Sequence, residues 1–257
     1  FKDQLKKYFN LNVEYARNPI SKIPNNYVFT IDNYFKMILL DVKLSLKIPV
    51  VLLGETGCGK TLLLETLSII SGKTLKTLNV HAGITEKDVF SFMEGVINQN
   101  NLSDFWIFFD EINTSNAIGL IEEIMINQSM RGIPISNELT FIAACNPYKK
   151  KNIKNETKRY GLINKKAFKN QDLVYNVLPL PLSLNNFICN FGSLLQEDEN
   201  SYIEQMIKQI KMQEEDEVLD DNLKKIASKL IEHCQLYLRN NYEVSSVSLR
   251  DVRRFGI

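Results

Sequence analysis

The sequence lacks several features that would place the protein in a large class at once. Its four cysteines lie far apart and form no C-x-x-C pair, so a zinc finger is not expected. No apolar run approaches the roughly 20 residues of a membrane-spanning helix, and no signal-peptide pattern is present. The formal net charge is only +1. We therefore expect neither nucleic acid nor a membrane among the partners.

The cysteines indicate in which compartment the protein lies, and the length of the chain indicates how many domains it can form. Cys58 lies in a glycine-rich loop and Cys145 in an apolar run, which indicates reduced thiols and a cytoplasmic location. The chain begins at Phe1 rather than at methionine, which suggests a piece of a longer protein. Its 257 residues suffice for one large domain and one small one.

The glycine-rich loop, Gly-Glu-Thr-Gly-Cys-Gly-Lys-Thr at residues 54–61, matches the phosphate-binding pattern G-x-x-x-x-G-K-[ST] at every fixed position. The apolar run before it predicts a buried strand, and residues 62–70 after it predict a helix. In that context the backbone N–H groups bind phosphate, Lys60 reaches the β- and γ-phosphates and Thr61 ligates Mg²⁺. The expected nucleotide-binding residues are Glu55, Thr56, Gly57, Cys58, Gly59, Lys60, Thr61 and Leu62.

A second motif ends an apolar run. Residues 106–109, Trp-Ile-Phe-Phe, predict a central strand, and Asp110 and Glu111 follow at its carboxyl end. Open α/β sheets bind ligands at that edge. We expect Asp110 to hold the Mg²⁺ shell and Glu111 to orient and polarise the attacking water. The alternative is a strand that ends in two exposed acids.

A third motif has the same form. Residues 139–145 predict another buried strand, and Asn146-Pro147 ends it. Asn146 would then lie at the same edge, where its amide can bond the γ-phosphate or the water. The alternative is a turn asparagine before proline.

Periodicity predicts the other elements. Asp32 would cap a helix to Leu46, whose apolar face comprises Phe35, Ile38, Leu39, Val42 and Leu46. Further strands are expected at 74–80 and 172–180, and helices from Thr85 and at 116–127, 184–195, 223–238 and 248–255. Residues 197–200 are interpreted as a polar break. The chain divides into an α/β domain, 1–181, and a helical domain, 182–257.

Two features carry no clear chemistry. Residues 149–171 are basic, and a solvated loop is favoured over a nucleic-acid patch because no pattern of stacking aromatic residues accompanies them. His81 and His233 have no metal-ligand neighbours in sequence and are interpreted as structural.

Phosphate loop, Asp-Glu strand end and Asn strand end, in this order, resemble AAA+ ATPases, and the helical tail resembles the AAA+ lid. The residues within and around these motifs are similar to those of the mysterin-like family of giant ubiquitin ligases. These ligases carry a dynein-like row of AAA+ units in one polypeptide. The stretches that carry this resemblance are residues 48–61, 109–114, 117–121, 142–148, 173–181 and 247–252.

The resemblance implies a three-layer α/β/α domain with a parallel five-stranded sheet ordered 5-1-4-3-2, a small helical lid, and ATP with Mg²⁺ at their junction. It implies that the catalytic residues are Glu111, Lys60, Asn146 and the lid arginine Arg250, with Arg253 as the second choice. The base is expected near residues 27–30. Expected partners are ATP, ADP and neighbouring AAA+ units of the same parent chain.

One element of the family pattern is missing. AAA+ neighbours supply an arginine finger near the end of the fourth helix, but residues 164–170 contain lysines and no arginine. Arg159 and Arg131 are the nearest alternatives. Because an arginine finger accelerates hydrolysis roughly 10³–10⁵-fold, we expect the chain to bind ATP well and hydrolyse it slowly.

The main hypothesis is an ATP-hydrolysing module of a larger ubiquitin ligase, in which nucleotide state drives domain motion and ubiquitin transfer occurs elsewhere. The alternative is a regulatory or structural ATP-binding module of a dynein- or midasin-like row, without turnover. A nucleotide or small-molecule kinase shares the phosphate loop but ranks lower. Such kinases do not need an Asp-Glu strand end, an Asn strand end and a lid arginine together.

Overall fold

The structure is a computed structural model that describes residue 23 and residues 27–148, 177–192, 196–208, 221–241, 249 and 251–252. Its strands are β1 (Val50–Gly54), β2 (Thr74–Asn79), β3 (Phe105–Asp110), β4 (Ser129–Met130), β5 (Ile133–Pro134), β6 (Thr140–Cys145) and β7 (Ile188–Gly192). Its helices are α1 (Ile31–Ser45), α2 (Lys60–Ile70), α3 (Glu86–Ile97), α4 (Ile118–Glu122), α5 (Gln196–Lys208) and α6 (Asp221–Asn241). Within these residues, no helix is both long and apolar enough to span a membrane.

Five strands form one parallel sheet in the order β2-β3-β6-β1-β7, which confirms the predicted α/β class. Counted within the sheet alone, this order is 5-1-4-3-2. This matches the expected order. The details differ, because an antiparallel hairpin, β4–β5, precedes the fourth sheet strand and because the fifth strand comprises other residues than those predicted.

The register of the central strands positions the site. Leu53 pairs with Cys145 across β1 and β6, and Phe109 pairs with Ala143 across β3 and β6. Because the strands are parallel, the residues that follow them leave the sheet at one edge. The phosphate loop, the Asp110–Glu111 pair and Asn146 therefore meet there.

Alternate residues of the central strands fill two cores, one on each face of the sheet. On one face Val50, Leu52 and Phe108 pack with the buried side chains of α1 and α2. On the other face Val51 and Phe109 pack with those of α3 and α4. The apolar strand runs are thus buried on both sides, and the result is three layers of helix, sheet and helix.

The predictions for the fifth strand and for a helix at 184–195 are wrong. Residues 177–180 form no strand, whereas 188–192, inside the predicted helix, form β7 and pair with β1. Leu184, Phe187, Ile188 and Phe191 follow helical spacing, but pairing with the open edge of β1 outweighs this local preference. Residues 172–176 lie outside the described residues. We propose that the α/β domain extends to Gly192 rather than to residue 181.

The predicted polar break at 197–200 is also wrong, because these residues begin α5. The first turn of α5 contains Glu197, Asp198 and Glu199, and acidic side chains there are stabilised by the helix dipole. The helix predicted at 223–238 is observed as α6. Of the last predicted helix, the described residues Leu249, Asp251 and Val252 are helical.

Helix α1 buries a different face from the predicted one. Its cap is Thr30, whose Oγ1 accepts the N–H of Asn33 at 3.2 Å, and not Asp32. The buried face comprises Asn33, Met37, Leu40 and Leu44. The predicted face is turned outward, with Phe35 63% and Leu46 67% exposed. The helix is apolar on two sides, so periodicity could not distinguish the core side.

The predicted helix 116–127 is interrupted. It begins as α4 and continues as a π-helical turn over Glu123–Asn127, with Ile121, Ile124 and Met125 fully buried. Glu123 Oε1 then accepts hydrogen bonds from Ser129 Oγ at 2.9 Å and Gly132 N at 2.8 Å, which holds the β4–β5 hairpin to the end of the helix.

Gly54→Ala should destabilise the fold. A Cβ at Gly54 would lie 3.0 Å from both Cys58 Sγ and Phe191 Cβ and 3.3 Å from the carbonyl oxygen of Gly192, so β7 and the phosphate loop would have to separate. We expect a loss of about 1–3 kcal/mol in the free energy of unfolding, measured by urea denaturation.

Gly95→Ala is the matched control. Gly95 lies in α3, and an added Cβ meets nothing within 4 Å. This variant should gain about 0.5–1 kcal/mol, because alanine costs less backbone entropy in a helix. Equal stability changes in the two variants would contradict the close approach at Gly54.

Candidate nucleotide-binding site

A cavity of about 310 Å³ opens at the carboxyl edge of the sheet, between the phosphate loop and the helices that follow β7. Nine predicted site residues line it: Thr56, Gly57, Gly59, Lys60, Thr61, Leu62, Asp110, Glu111 and Asn146. The remaining lining residues are Glu65, Cys145, Tyr202, Met206 and Leu249. Residues from five separate stretches of sequence thus surround one space.

The phosphate loop leaves a helix N-terminus open toward the cavity. Gly57 and Gly59 have φ angles of 81° and 88°, which favour glycine and let the loop turn into α2. Gly59 caps α2 without a side chain, and the first turn has no acidic residue. The first N–H groups of α2 and its positive dipole end therefore suit an anionic ligand.

Lys60 is buried and held by the loop itself. Its Nζ donates to the carbonyl oxygens of Gly54 at 2.6 Å and Glu55 at 2.9 Å, and the Lys60 residue is only 7% exposed. An ammonium has three donors. Among the described residues the third finds only the sulfur of Cys58, 3.9 Å away, which is a weaker acceptor than a phosphate oxygen.

Thr61 and Asp110 join the phosphate loop to β3. Thr61 Oγ1 donates to Asp110 Oδ2 at 2.9 Å. The two oxygens are of the hard type that Mg²⁺ prefers, and they lie beside each other at the cavity. This pair is the arrangement in which both residues could bind one ion.

Glu111 has a constrained backbone. Its φ of 55° and ψ of 41° are left-handed, which costs a non-glycine residue about 1–2 kcal/mol. Its N–H donates to Asp110 Oδ1 at 2.9 Å, and its carbonyl accepts from Thr114 N at 3.0 Å and Thr114 Oγ1 at 2.9 Å. These bonds offset the cost and fix where Glu111 enters the cavity.

Asn146 is held through its backbone by a residue whose role the sequence did not reveal. Asn113 Nδ2 donates to the carbonyl oxygen of Asn146 at 2.8 Å, and Asn113 Oδ1 accepts the N–H of Asn146 at 3.2 Å. The backbone of Asn146 is thus occupied, and the residue lines the cavity. Asn113 belonged to a stretch that carried the family resemblance, but nothing in its spacing indicated this contact.

Glu65 is a further acid at the site that sequence reasoning missed. It lies four residues after Thr61, one turn along α2, and lines the cavity. Partial burial and the negative charge of Asp110 raise the pKa of its carboxyl above the usual value. The helical spacing from Thr61 is the signal that could have identified it.

The two cysteines of the site are not reactive thiols. Burial raises the pKa of Cys145 to about 12, although the Lys60 ammonium opposes the shift. Burial also raises the pKa of Cys58, whose side chain packs in the core rather than lining the cavity. At neutral pH both stay protonated.

The far wall of the cavity comes from the C-terminal helices. Tyr202, Met206 and Leu249 line it and belong to a small cluster that also contacts Val28. The Tyr202 hydroxyl donates to the carbonyl of Val28 at 3.2 Å and accepts from Asn33 Nδ2 at 2.9 Å. Residues 27–30, expected near the base, thus lie against this wall without lining the cavity.

Some predicted residues do not line the cavity, and others cannot be assessed. Among the predicted loop residues, the side chains of Glu55 and Cys58 are absent from its lining. Arg250, Arg253 and Arg159 lie outside the described residues, as does the whole basic stretch 149–171. Arg131 lies in the β4–β5 turn, 5.2 Å from the ring centre of Phe90 and 3.8 Å from Glu86.

The chain is similar to known proteins of one kind. A family model described as the RNF213 AAA domain matches residues 27–149. The E3 ubiquitin-protein ligase rnf213-beta of Danio rerio is 35% identical over 254 residues, which are 89% of this chain and 5% of that protein. E3 ubiquitin-protein ligase RNF213 of Homo sapiens is 32% identical over 260 residues, again 89% and 5%. The chain therefore spans a small fraction of the length of the curated relatives that it matches.

Glu65→Gln should stabilise the fold in a pH-dependent way. Since the pKa of Glu65 is raised in the folded state, folding favours the protonated carboxyl, and this contribution to stability is lost as pH rises through that pKa. Glutamine does not titrate. We expect a higher Tm than wild type at about pH 7.5 and little difference at about pH 4.5, measured by thermal unfolding.

Glu94→Gln, on the exposed side of α3, controls for the loss of one surface charge. It should not reproduce the pH-dependent gain. A Tm gain of Glu65→Gln that is the same at both pH values would contradict repulsion between Glu65 and Asp110.

Proposed function

The chain belongs to the family of RNF213 AAA domains, and from this premise and the geometry of the cavity we propose that it binds ATP with Mg²⁺ and hydrolyses the ATP. The membership confirms the resemblance inferred from the three motifs. The observation that carries the proposal is the convergence of Lys60, Thr61, Asp110, Glu111 and Asn146 on one cavity.

Phosphate binding follows from the loop. Backbone N–H groups at the start of α2 would bond phosphate oxygens, and the third donor of Lys60 would reach the β- and γ-phosphates in place of the Cys58 sulfur. Because two donors of Lys60 are already fixed by the loop, its ammonium needs little reorganisation on binding. With a cation to offset the three acids of the lining, the loop fits a triphosphate.

Thr61 and Asp110 would hold Mg²⁺. Their oxygens already lie 2.9 Å apart. A bound magnesium ion neutralises charge that develops on the β- and γ-phosphates. The neighbouring carboxylate of Glu65 adds to the negative potential, which supports a cation at this place.

Glu111 and Asn146 would act on the attacking water. Glu111 orients the water and polarises its O–H bond, and the Asn146 amide bonds either the water or a γ-phosphate oxygen. Both residues line the cavity at adjacent strand ends. Their backbones are fixed by hydrogen bonds, which supports a pre-organised site.

We propose that hydrolysis is coupled to motion through the helical lid domain. Tyr202, Met206 and Leu249 line the same cavity as the phosphate loop, so nucleotide state would bias how the lid packs on the α/β domain. We propose that the unit acts within a larger cytoplasmic ubiquitin ligase beside other AAA units, with ubiquitin transfer performed elsewhere in that protein.

The second candidate function is an ATP-binding module without turnover. It is favoured by the engagement of Arg131 with Phe90 and Glu86 of its own chain, which removes one candidate for an arginine finger. In that case ATP would stabilise the unit by mass action, about 2.7 kcal/mol at a ligand concentration 100-fold above Kd.

Lys60→Ala should abolish ATP binding. Removal of the buried ammonium takes away the charged donor for the phosphates, and we expect wild-type affinity in the micromolar range or tighter to weaken at least about 100-fold. Isothermal titration calorimetry with ATP and Mg²⁺ measures this affinity. Lys87→Ala, an exposed lysine of α3, should bind as wild type. Equal affinity of wild type and Lys60→Ala would contradict the assigned site.

Glu111→Gln should separate binding from turnover. The amide keeps the size of the side chain but cannot polarise water, so kcat should fall roughly 10²–10⁴-fold while ATP affinity stays within about threefold. Steady-state phosphate release measures the rate, and Glu138→Gln, an exposed glutamate, is the control. Turnover that is independent of Glu111, or no turnover by wild type, would favour the non-hydrolysing module.

A further inference from the structure

We propose that Asn113 is a positioning residue for ATP hydrolysis: its side chain clamps Asn146 relative to Glu111 and so sets the distance between the two groups that act on water. The inference rests on the proposed function of the cavity. It assigns a catalytic consequence to a residue that does not itself line that cavity.

The clamp is a closed pair of hydrogen bonds. Asn113 Nδ2 donates to the Asn146 carbonyl at 2.8 Å, and Asn113 Oδ1 accepts the Asn146 N–H at 3.2 Å. A carboxamide thus pairs with both polar groups of one residue, as the opposite residue of an antiparallel strand would. Aspartate lacks the donor, and serine is too short to span both groups.

The clamp lies where the sheet ladder stops. The pairing of β3 with β6 ends at Phe109 and Ala143, so beyond these residues no strand partner fixes the backbone of β6 against β3. Asn113 lies in a 3-10 turn, Ile112–Thr114, that directly follows Glu111. Its side chain extends the connection between the two strand ends to Asn146.

The turn that carries Asn113 also carries Glu111. Glu111 caps this turn in a left-handed conformation, and Thr114 of the turn bonds its carbonyl. A movement of Asn146 would therefore pull on the same short turn that holds Glu111. Asn113 is the direct side-chain link between them among the described residues.

Asn113 also binds the segment before β7. Its carbonyl accepts the N–H of Leu178 at 2.7 Å. The residue is only 1% exposed. One buried residue thus contacts the stretch after β6 through its side chain and the stretch before β7 through its backbone, and a substitution of the side chain removes only the first contact.

Because Asn113 does not line the cavity, its removal should change turnover more than binding. We expect Asn113→Ala to lower kcat about 10–100-fold, as the loss of an orienting partner commonly does, and to leave ATP affinity within about threefold. Asn113→Asp keeps an acceptor for the Asn146 N–H but loses the donor, so its kcat should lie between those of wild type and Asn113→Ala.

The test is a double-mutant cycle with Asn146→Ala, measured as kcat for ATP in the presence of Mg²⁺. If Asn113 acts through the Asn146 amide, Asn113→Ala should have no further effect on kcat in the Asn146→Ala background. An equal fold-loss in both backgrounds would overturn the proposal, because it would indicate general disruption. An unchanged kcat of Asn113→Ala would overturn it as well.

Ser115→Ala is the matched control for lost buried hydrogen bonds. Ser115 is 1% exposed, and its Oγ donates to the Ile84 carbonyl at 2.6 Å and accepts the Ala117 N–H at 3.1 Å. It makes two hydrogen bonds near the same turn but none to Asn146. It should therefore lower the Tm without lowering kcat, and an equal loss of kcat would overturn the specific role of Asn113.

Amide hydrogen exchange tests the clamp without hydrolysis and on whichever variant folds. Asn113→Ala should speed exchange at Asn146, and Asn113→Asp should speed it less because aspartate keeps the acceptor for that N–H. Unchanged exchange at Asn146 in Asn113→Ala would overturn the clamp. Wild type without turnover, together with faster exchange in the variants, would instead show that the proposed hydrolysis fails while the clamp exists, and would overturn the catalytic role assigned to Asn113.

Discussion

The site depends on the parallel pairing of β6 between β1 and β3. Ile142 pairs with both Val50 and Phe108, and these strands are buried on both faces, so the register cannot slip without exposing a whole row of apolar side chains. The fixed register aligns three strand ends at one edge. The residues to which we assign nucleotide chemistry in the α/β domain lie in the segments that follow those strand ends.

This explains why most of the site could be predicted from sequence. The phosphate loop with Lys60, the acid Asp110 and the amide Asn146 come after three short, continuous apolar runs. Such runs mark central parallel strands. No long-range information is needed once the strands are recognised, because the sheet edge brings the residues together. The α/β class was predictable for the same reason, whereas the five-stranded sheet was implied by the family resemblance.

The predictions that failed concern features that depend on contacts between residues distant in sequence. Whether 188–192 becomes strand or helix depends on the open edge of β1, and which side of α1 is buried depends on the sheet beneath it. Neither is encoded in local periodicity, which was helical in the first case and two-sided in the second. Asn113 was missed likewise, since its partner lies 33 residues away and is a backbone rather than a side chain.

The charge of the cavity sets a condition on its ligand. Among the described lining residues, three are carboxylic acids, Glu65, Asp110 and Glu111, and one is cationic, Lys60. A triphosphate brings further negative charge, so one ammonium and a helix dipole leave the complex strongly anionic. A divalent cation between Thr61 and Asp110 would relieve both the repulsion among the acids and that with the phosphates. The acids that make the empty loop unfavourable for a bare nucleotide thus favour the nucleotide together with its metal.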